Sequence, residues 1–333
     1  MKILITGATG FVGSHLCEFI LNYHREWDVF GLTRWRSPKD NIQHLIGRGS
    51  FVLKEGDLLD QGSLIRVIRD VLPDYIWHGA AQSYVQSSFQ NPSQTMQVNV
   101  LGTLHLFEAI RVVKVEGDND GWNFNPTVIN VGSSESYGQP EANEIPIKET
   151  NPLRPISPYA VSKASMDLLA YQYWKNFGLK IVRTRMFSHE GDRRGEVFAL
   201  SSFAKQLMTR WQEKNLPGRI IKVGNLDSVR TWAHIDDAIE AYWQCFSCPP
   251  GEVYNIGGKE TTTIKEALDR MLKLAFERYG LQAGIEVDPS LLRPTDITLQ
   301  IPNCDKFKLQ TGWEPKKGLD EILIDLLEFW RAK

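Results

Sequence analysis

The sequence predicts an α/β fold in which a doubly wound parallel sheet carries a smaller α/β substrate-binding lobe. Three observations lead there. Short runs rich in Val, Ile and Leu alternate with amphipathic helical patterns through the first half of the chain, as expected of βαβ crossovers and a parallel sheet covered on both faces. A glycine-rich turn, Gly7-Ala8-Thr9-Gly10-Phe11-Val12-Gly13, joins the first apolar run to the first helical pattern. After about residue 188 the alternation breaks, and a Gly- and Arg-rich stretch opens a less regular second half.

Taken in order, the strand-like segments are Lys2–Thr6, Asp28–Thr33, Phe51–Glu55, Tyr75–His78, Thr127–Val131 and Lys180–Arg185. Helical patterns fall between them at Val12–Tyr23, Gln61–Val71, Met96–Val113 and Pro158–Phe177, and Gly117–Asn125 reads as a surface loop. Crossovers between parallel strands are right-handed, so the product is a Rossmann-type sheet. Residues 1–188 are expected to form this nucleotide-binding domain. Beyond His189–Glu196 come a helix, a strand at Ile220–Val223, a helix at Ile235–Phe246 and a strand at Val253–Ile256. Helices at Ile264–Tyr279 and Leu319–Trp330 flank a loop rich in Pro and Asp. Residues 189–333 are therefore expected to be mainly the substrate lobe, with the segment around 225–260 rejoining the first sheet.

Lys and Arg total 38 against 40 Asp and Glu, a balance that predicts no bulk attraction to nucleic acid. No run of 18 apolar residues offers a membrane span and the N-terminus enters a strand directly, so a cytoplasmic protein is expected. Cys245 and Cys248 form a lone CxxC without a second pair at zinc-finger spacing. Reduced thiols and no bound metal are expected.

The glycine turn has a mechanical reading. Gly7 permits the tight turn, Gly10 lets the backbone approach a pyrophosphate, and Gly13 lets helix and strand pack closely, while the helix N-terminus supplies free N–H groups. Thr9, Phe11 and Val12 share that loop. At the end of the second strand an NAD enzyme usually places an acid to hold the ribose. Here the chain reads Thr33-Arg34-Trp35-Arg36-Ser37. Arg34 and Arg36 suit a 2′-phosphate, so NADP is the expected cofactor. Asp57-Leu58, after the third strand, is placed to receive the adenine amino group.

Tyr159 and Lys163 have a Tyr-x-x-x-Lys spacing on a predicted helix, which puts both on one face. A neighbouring ammonium favours the phenolate, giving an acid/base of use near neutral pH. Gly132-Ser133-Ser134-Glu135 closes the fifth strand, at the edge where open α/β sheets bind ligands.

The set GATGFVG, HGAAQS, VGSSESYG and SPYAVSK resembles the extended short-chain dehydrogenase/reductase family and spans nearly the whole chain. MFSHEGDRRGEVF, VGNLDSVRTWAHIDD and LLRPTDI are similar to its GDP-mannose 4,6-dehydratase and GDP-4-keto-6-deoxymannose reductase branch. The resemblance implies an NADP-dependent GDP-sugar 4,6-dehydratase acting on GDP-mannose or on another GDP-manno-configured sugar such as a heptose. It implies catalysis by Ser133, Glu135, Tyr159 and Lys163. Tyr159 takes the proton of the sugar 4-hydroxyl, and Glu135 takes the proton of carbon 5 and helps expel the 6-hydroxyl as water. It places Ala80 and Ala81 at the cofactor. Ser83, Ser188, Glu190, Arg194, Val223, Arg230 and Arg293 fall to the substrate, and Asn99 to a water near Lys163. A GDP-4-keto-6-deoxy-sugar reductase or a nucleotide-sugar epimerase is the alternative. Ser188 stands where the dehydratase motif has Asn, and Gly191-Asp192 where it has Ser-Pro. The family also implies a homodimer through Met96–Val113 and Pro158–Phe177, or a homotetramer with Arg34–Pro38 near a neighbouring subunit.

Overall fold

The computed structural model describes residues 1–212 and 220–333. A seven-stranded sheet runs in the order β10-β6-β5-β4-β1-β2-β3, with every neighbouring pair parallel. Its strands are β1 (Lys2–Thr6), β2 (Asp28–Thr33), β3 (Phe51–Glu55), β4 (Tyr75–His78), β5 (Thr127–Ser133), β6 (Lys180–Met186) and β10 (Val253–Ile256). The helices packed on it include α1 (Phe11–Tyr23), α2 (Gln61–Val71), α5 (Gly102–Asp120), α6 (Pro158–Phe177) and α8 (Ile235–Gln244). Two hydrophobic clusters fill the opposite faces, one around Ile3, Ile5, Leu16 and Tyr242 and the other around Leu4, Leu106, Phe107 and Ile181. Ile3, Leu4 and Ile5 are wholly buried or nearly so. That double burial is why these strands read as aliphatic runs without alternation.

The second layer is a smaller assembly. Strand β9 (Val229–His234) pairs antiparallel with β11 (Glu260–Thr263) and parallel with β13 (Leu299–Gln300) and β7 (His189–Glu190). Strands β8 (Ile220–Val223) and β12 (Gly284–Val287) form a separate parallel pair. Helices α7 (Ala199–Gln212), α9 (Ile264–Tyr279) and α11 (Leu319–Ala332) enclose the third core around Phe203, Met271 and Leu326. A short helix, α10 (Asp305–Thr311), packs Phe307 against Tyr254 of β10.

Several boundaries differ from the sequence reading for identifiable reasons. The helix expected at Met96–Val113 is preceded by two short helices, α3 (Val85–Gln90) and α4 (Pro92–Met96). It passes through a π turn at Gln97–Leu101 and then runs on as α5 to Asp120. The first four residues of the expected Gly117–Asn125 loop are thus helical, because Gly117 packs flush on Trp122 and the left-handed cap falls on Gly121 (φ 79°). The helix at 235 stops at Gln244, with Cys245–Ser247 as a 3-10 turn. Cys245 and Cys248 are both buried as free thiols. Among the described residues no three His, Cys, Asp or Glu side chains converge to hold a metal ion, and no helix is long and apolar enough to cross a membrane.

Candidate active site

A cleft of about 590 Å³ opens over the carboxyl ends of β1, β4 and β5, where strand order reverses between β1 and β4. Every site residue named from the sequence lines it except Arg36, Asn99 and Val223.

The floor is the loop from β1 to α1. Gly7 has φ 75°, a left-handed conformation that glycine alone adopts without penalty. A Cβ on Gly13 would overlap the Gly7 carbonyl oxygen, so only glycine lets α1 sit this close to β1. No side chain caps the N-terminus of α1, which leaves its first N–H groups for an anion. This cradle fits a dinucleotide pyrophosphate. Gly13→Ala is expected to destabilise the fold by roughly 3 kcal/mol, the upper end for overpacking a rigid contact. Denaturant midpoints compared at constant m-value measure this.

At the end of β2, Arg34 and Ser37 line the cleft and Ser37 N donates to Arg34 O at 3.0 Å. That turn sends Arg36 outward, where its guanidinium lies 4.4 Å from the Trp35 ring centroid. The expectation that Arg36 meets the cofactor is corrected accordingly, and Arg34 is the one cation of the pair in the cleft. Asp57 lines the cleft with Oδ1 accepting from Leu59 N at 2.9 Å.

Beneath Ala80, a buried chain of hydrogen bonds leaves β4. Thr6 Oγ1 lies 2.8 Å from His78 Nδ1, and His78 Nε2 lies 2.9 Å from Thr103 Oγ1. Thr103 donates its hydroxyl to Asn99 O at 2.6 Å, so it accepts from Nε2–H. Thr6 accepts from Ala80 N at 3.1 Å and therefore donates to Nδ1. One tautomer satisfies all four contacts. Burial, aided by the Lys163 charge, pushes the His78 imidazole down to about 3, so it stays neutral. Asn99 lies wholly buried in the π turn and bonds Gln82 N, Gln82 O and Ser162 Oγ. Its side chain thus pins the HGAAQS segment to the helix that carries Lys163, one residue beyond Ser162.

Helix α6 is fixed to the sheet by a buried ion-pair triad. Asp167 receives Arg183 Nη1 and Arg185 Nε, each at 2.6 Å. Its first turn is capped by Ser157, whose hydroxyl accepts from Ala160 N at 3.1 Å. Tyr159 and Lys163 face the cleft one turn apart. Lys163 Nζ donates to Val131 O at 2.9 Å, and burial pushes its ammonium down to about 8. Burial pushes the Tyr159 phenol up to about 12, opposed by its hydrogen bond with Ser133. Ionisation of the phenol therefore depends on positive charge delivered with the cofactor. The Glu135 carboxyl is raised by burial, opposed by Arg230 and Arg293.

Those two arginines converge on one acid. Asp296 lies 3.6 Å from Arg230 Nη2 and 3.5 Å from Arg293 Nη1, and it accepts from Asn225 Nδ2 and Ser228 Oγ. Arg194 is held differently, 3.5 Å from the Phe198 ring centroid, 5.1 Å from that of Phe11 and 3.5 Å from Glu190 Oε2. Val223 is a correction: it is fully buried in the core of the smaller layer. Alternation along β8 instead turns Lys222, with Gly224 beyond it, to the cleft. Sequence reasoning missed Trp77, Tyr242, Asp296 and Gln300, which also line it. Buried polar atoms without partners among them (Trp77 Nε1, Tyr242 Oη, Gln300 Nε2) were the available signal, and it exists only in three dimensions.

Residues 4–326 match the family described as GDP-mannose 4,6 dehydratase. The GDP-mannose 4,6-dehydratase of Vibrio cholerae is 29% identical over 98% of this chain and 92% of its own. GDP-mannose 4,6 dehydratase 1 of Arabidopsis thaliana is 32% identical over 96% and 87%. Among solved structures, the RMD protein of Pseudomonas aeruginosa complexed with NADPH superposes with a TM-score of 0.80 at 27% identity, covering 99% of each chain. The UDP-glucuronic acid 4-epimerase of Bacillus cereus, in complex with UDP-glucuronic acid and NAD, gives 0.84 at 27%, covering 100% and 99%.

Proposed function

The chain belongs to the GDP-mannose 4,6 dehydratase family, and from that premise we propose that it removes water from a GDP-manno-configured sugar. GDP-mannose or a GDP-heptose would give the 4-keto-6-deoxy sugar, with NADP regenerated in each turnover. The observation that carries this reading is Glu135, which shares the cleft with Tyr159 and Lys163 and stands two residues beyond Ser133. An elimination needs a base there and a simple reduction does not, so the reductase alternative is not favoured.

NADP+, held by the Gly7–Gly13 cradle and Arg34, would supply the hydride acceptor for carbon 4 and the hydride donor for carbon 6. The residues of the chain handle protons and charge. Tyr159, hydrogen-bonded by Ser133, accepts the proton of the 4-hydroxyl as the ketone forms. Lys163 anchors at Val131 O and lends its ammonium to the same oxygen. The ketone acidifies carbon 5, Glu135 takes that proton, and its protonated form delivers it to the 6-hydroxyl, which leaves as water across the carbon 5–carbon 6 bond. As hydride reaches carbon 6, carbon 5 regains a proton from solvent, matching the one Tyr159 took from the 4-hydroxyl and later releases. Arg230 and Arg293, preset by Asp296, meet the diphosphate, while Arg194 closes the side toward Phe11.

Arg34 is assigned to the 2′-phosphate. Arg34→Ala should weaken NADP+ binding about 10- to 100-fold, the loss of one charge-assisted contact, and leave NAD+ binding unchanged. Titration of both cofactors reads this directly.

Assembly and location extend the proposal. Leu168 and Tyr171 on α6 are exposed, as is Leu101 before α5. A second copy packing on this face would give a homodimer or homotetramer in the cytoplasm. The reaction itself is tested by incubating the protein with GDP-mannose and catalytic NADP+ and following product mass. Loss of one water without net NADPH supports the dehydratase. NADPH oxidation only with a GDP-4-keto-6-deoxy sugar would replace it with the reductase.

A further inference from the structure

Gln300 ends β13, in register with Arg230 of β9, and is 2% exposed. Its Oε1 accepts from Ser134 Oγ at 3.1 Å, which fixes the plane of the amide. The other end, Nε2, is enclosed and has no hydrogen-bond partner among the described residues, although the side chain lines the cleft. An unmet buried donor is costly, and native proteins rarely keep one without a use. A purely structural amide, tying β13 to the end of β5, would need only the oxygen. The nitrogen requires a separate explanation.

Its neighbours indicate what it meets. Ser134 immediately precedes Glu135. Arg230, the register partner of Gln300, is the strongest charge acting on the Glu135 carboxyl. The amide therefore stands on the Glu135 side of the cleft, where the reacting end of the sugar must lie. We propose that Gln300 is a specificity-determining residue whose Nε2–H donates to the sugar 6-hydroxyl, the group that Glu135 expels. This rests on the dehydratase reading. The bond would orient the departing oxygen toward the protonated Glu135, and it would favour a sugar that carries oxygen at carbon 6 over one that does not.

The test is a binding cycle in a background that does not turn over. NADP+-loaded Tyr159→Phe protein, with and without Gln300→Leu, is titrated by calorimetry with GDP-mannose and with GDP-6-deoxymannose. With Gln300 present, GDP-mannose should bind about five- to tenfold tighter than the 6-deoxy sugar, the worth of one neutral hydrogen bond. Gln300→Leu should remove that preference by weakening GDP-mannose alone. Equal weakening of both ligands, or of neither, overturns the assignment of the 6-hydroxyl. If neither GDP-sugar binds before Gln300 is changed, the GDP-mannose form of the dehydratase reading fails, and this inference with it. The melting temperature of Gln300→Leu should fall only modestly, since loss of the Ser134 hydrogen bond is partly offset by removal of an unmet donor. Gln300→Met, of similar length, takes its place if the Leu protein does not fold.

Discussion

Tyr159→Phe is expected to slow turnover about 10²- to 10⁴-fold while leaving GDP-sugar and NADP+ dissociation constants within a fewfold of their values in the unaltered protein. The range is that of losing a positioned acid/base group. Phe keeps the ring buried beside Ser133 and removes only the oxygen that receives the 4-hydroxyl proton. No other group replaces it well: Ser133 is a poor base, and Lys163 acts as an ammonium, which has no lone pair to take the proton. Steady-state kcat against calorimetric binding separates the two effects. A variant that binds weakly but turns over normally would show that Tyr159 only positions the ligand.

Glu135→Gln should cost a similar factor in dehydration yet spare the first half of the reaction. Gln matches Glu in shape and cannot take the carbon-5 proton. Oxidation at carbon 4 then proceeds without elimination, and reduced cofactor should accumulate in near equality with enzyme, visible by its near-ultraviolet absorbance. The pH profile supplies the sign. Glu135 acts as its carboxylate, and burial raises its carboxyl from the ordinary value. Dehydration should therefore fall as pH drops through a limb lying above the usual carboxylate range of about 4.3. In Glu135→Gln that limb should be missing from the oxidation half-reaction. Absence of both the reduced cofactor and the altered limb would remove Glu135 from its role as base.

The parallel sheet was legible because its strands are buried on both faces and separated by helices with clear periodicity. Ile3, Leu4 and Ile5 illustrate the first condition. The central strand of the smaller layer escaped notice for the opposite reason. β9 buries Arg230, Thr231 and His234 alongside Trp232 and Ala233, so it carries neither an aliphatic run nor an apolar–polar alternation. Its polar side chains are satisfied by partners distant in sequence, such as Asp325 for His234 at 2.8 Å. Arg36 was misplaced because a turn decides which of two nearby arginines faces inward. Val223 was misplaced because a one-residue shift along a strand changes its face. Asp296 was visible only as part of LLRPTDI, and its gathering of two arginines from different segments has no local signature. Gln300 had none at all.

The position of β10 bears on how the chain is made. β10 pairs with β6, yet 66 residues lie between Met186 and Val253, and they hold the whole of β7, α7, β8, β9 and α8. On the ribosome, β6 is complete long before its partner emerges, so its open edge must wait, exposed to any other strand. An N-terminal fragment ending near residue 188 would leave this edge permanently unpaired and would also lack α8, which packs Tyr242 against Trp77. Vectorial synthesis therefore delays closure of the cofactor half until part of the sugar half has been translated, and truncation between the two should yield an aggregating product rather than a free-standing nucleotide-binding unit.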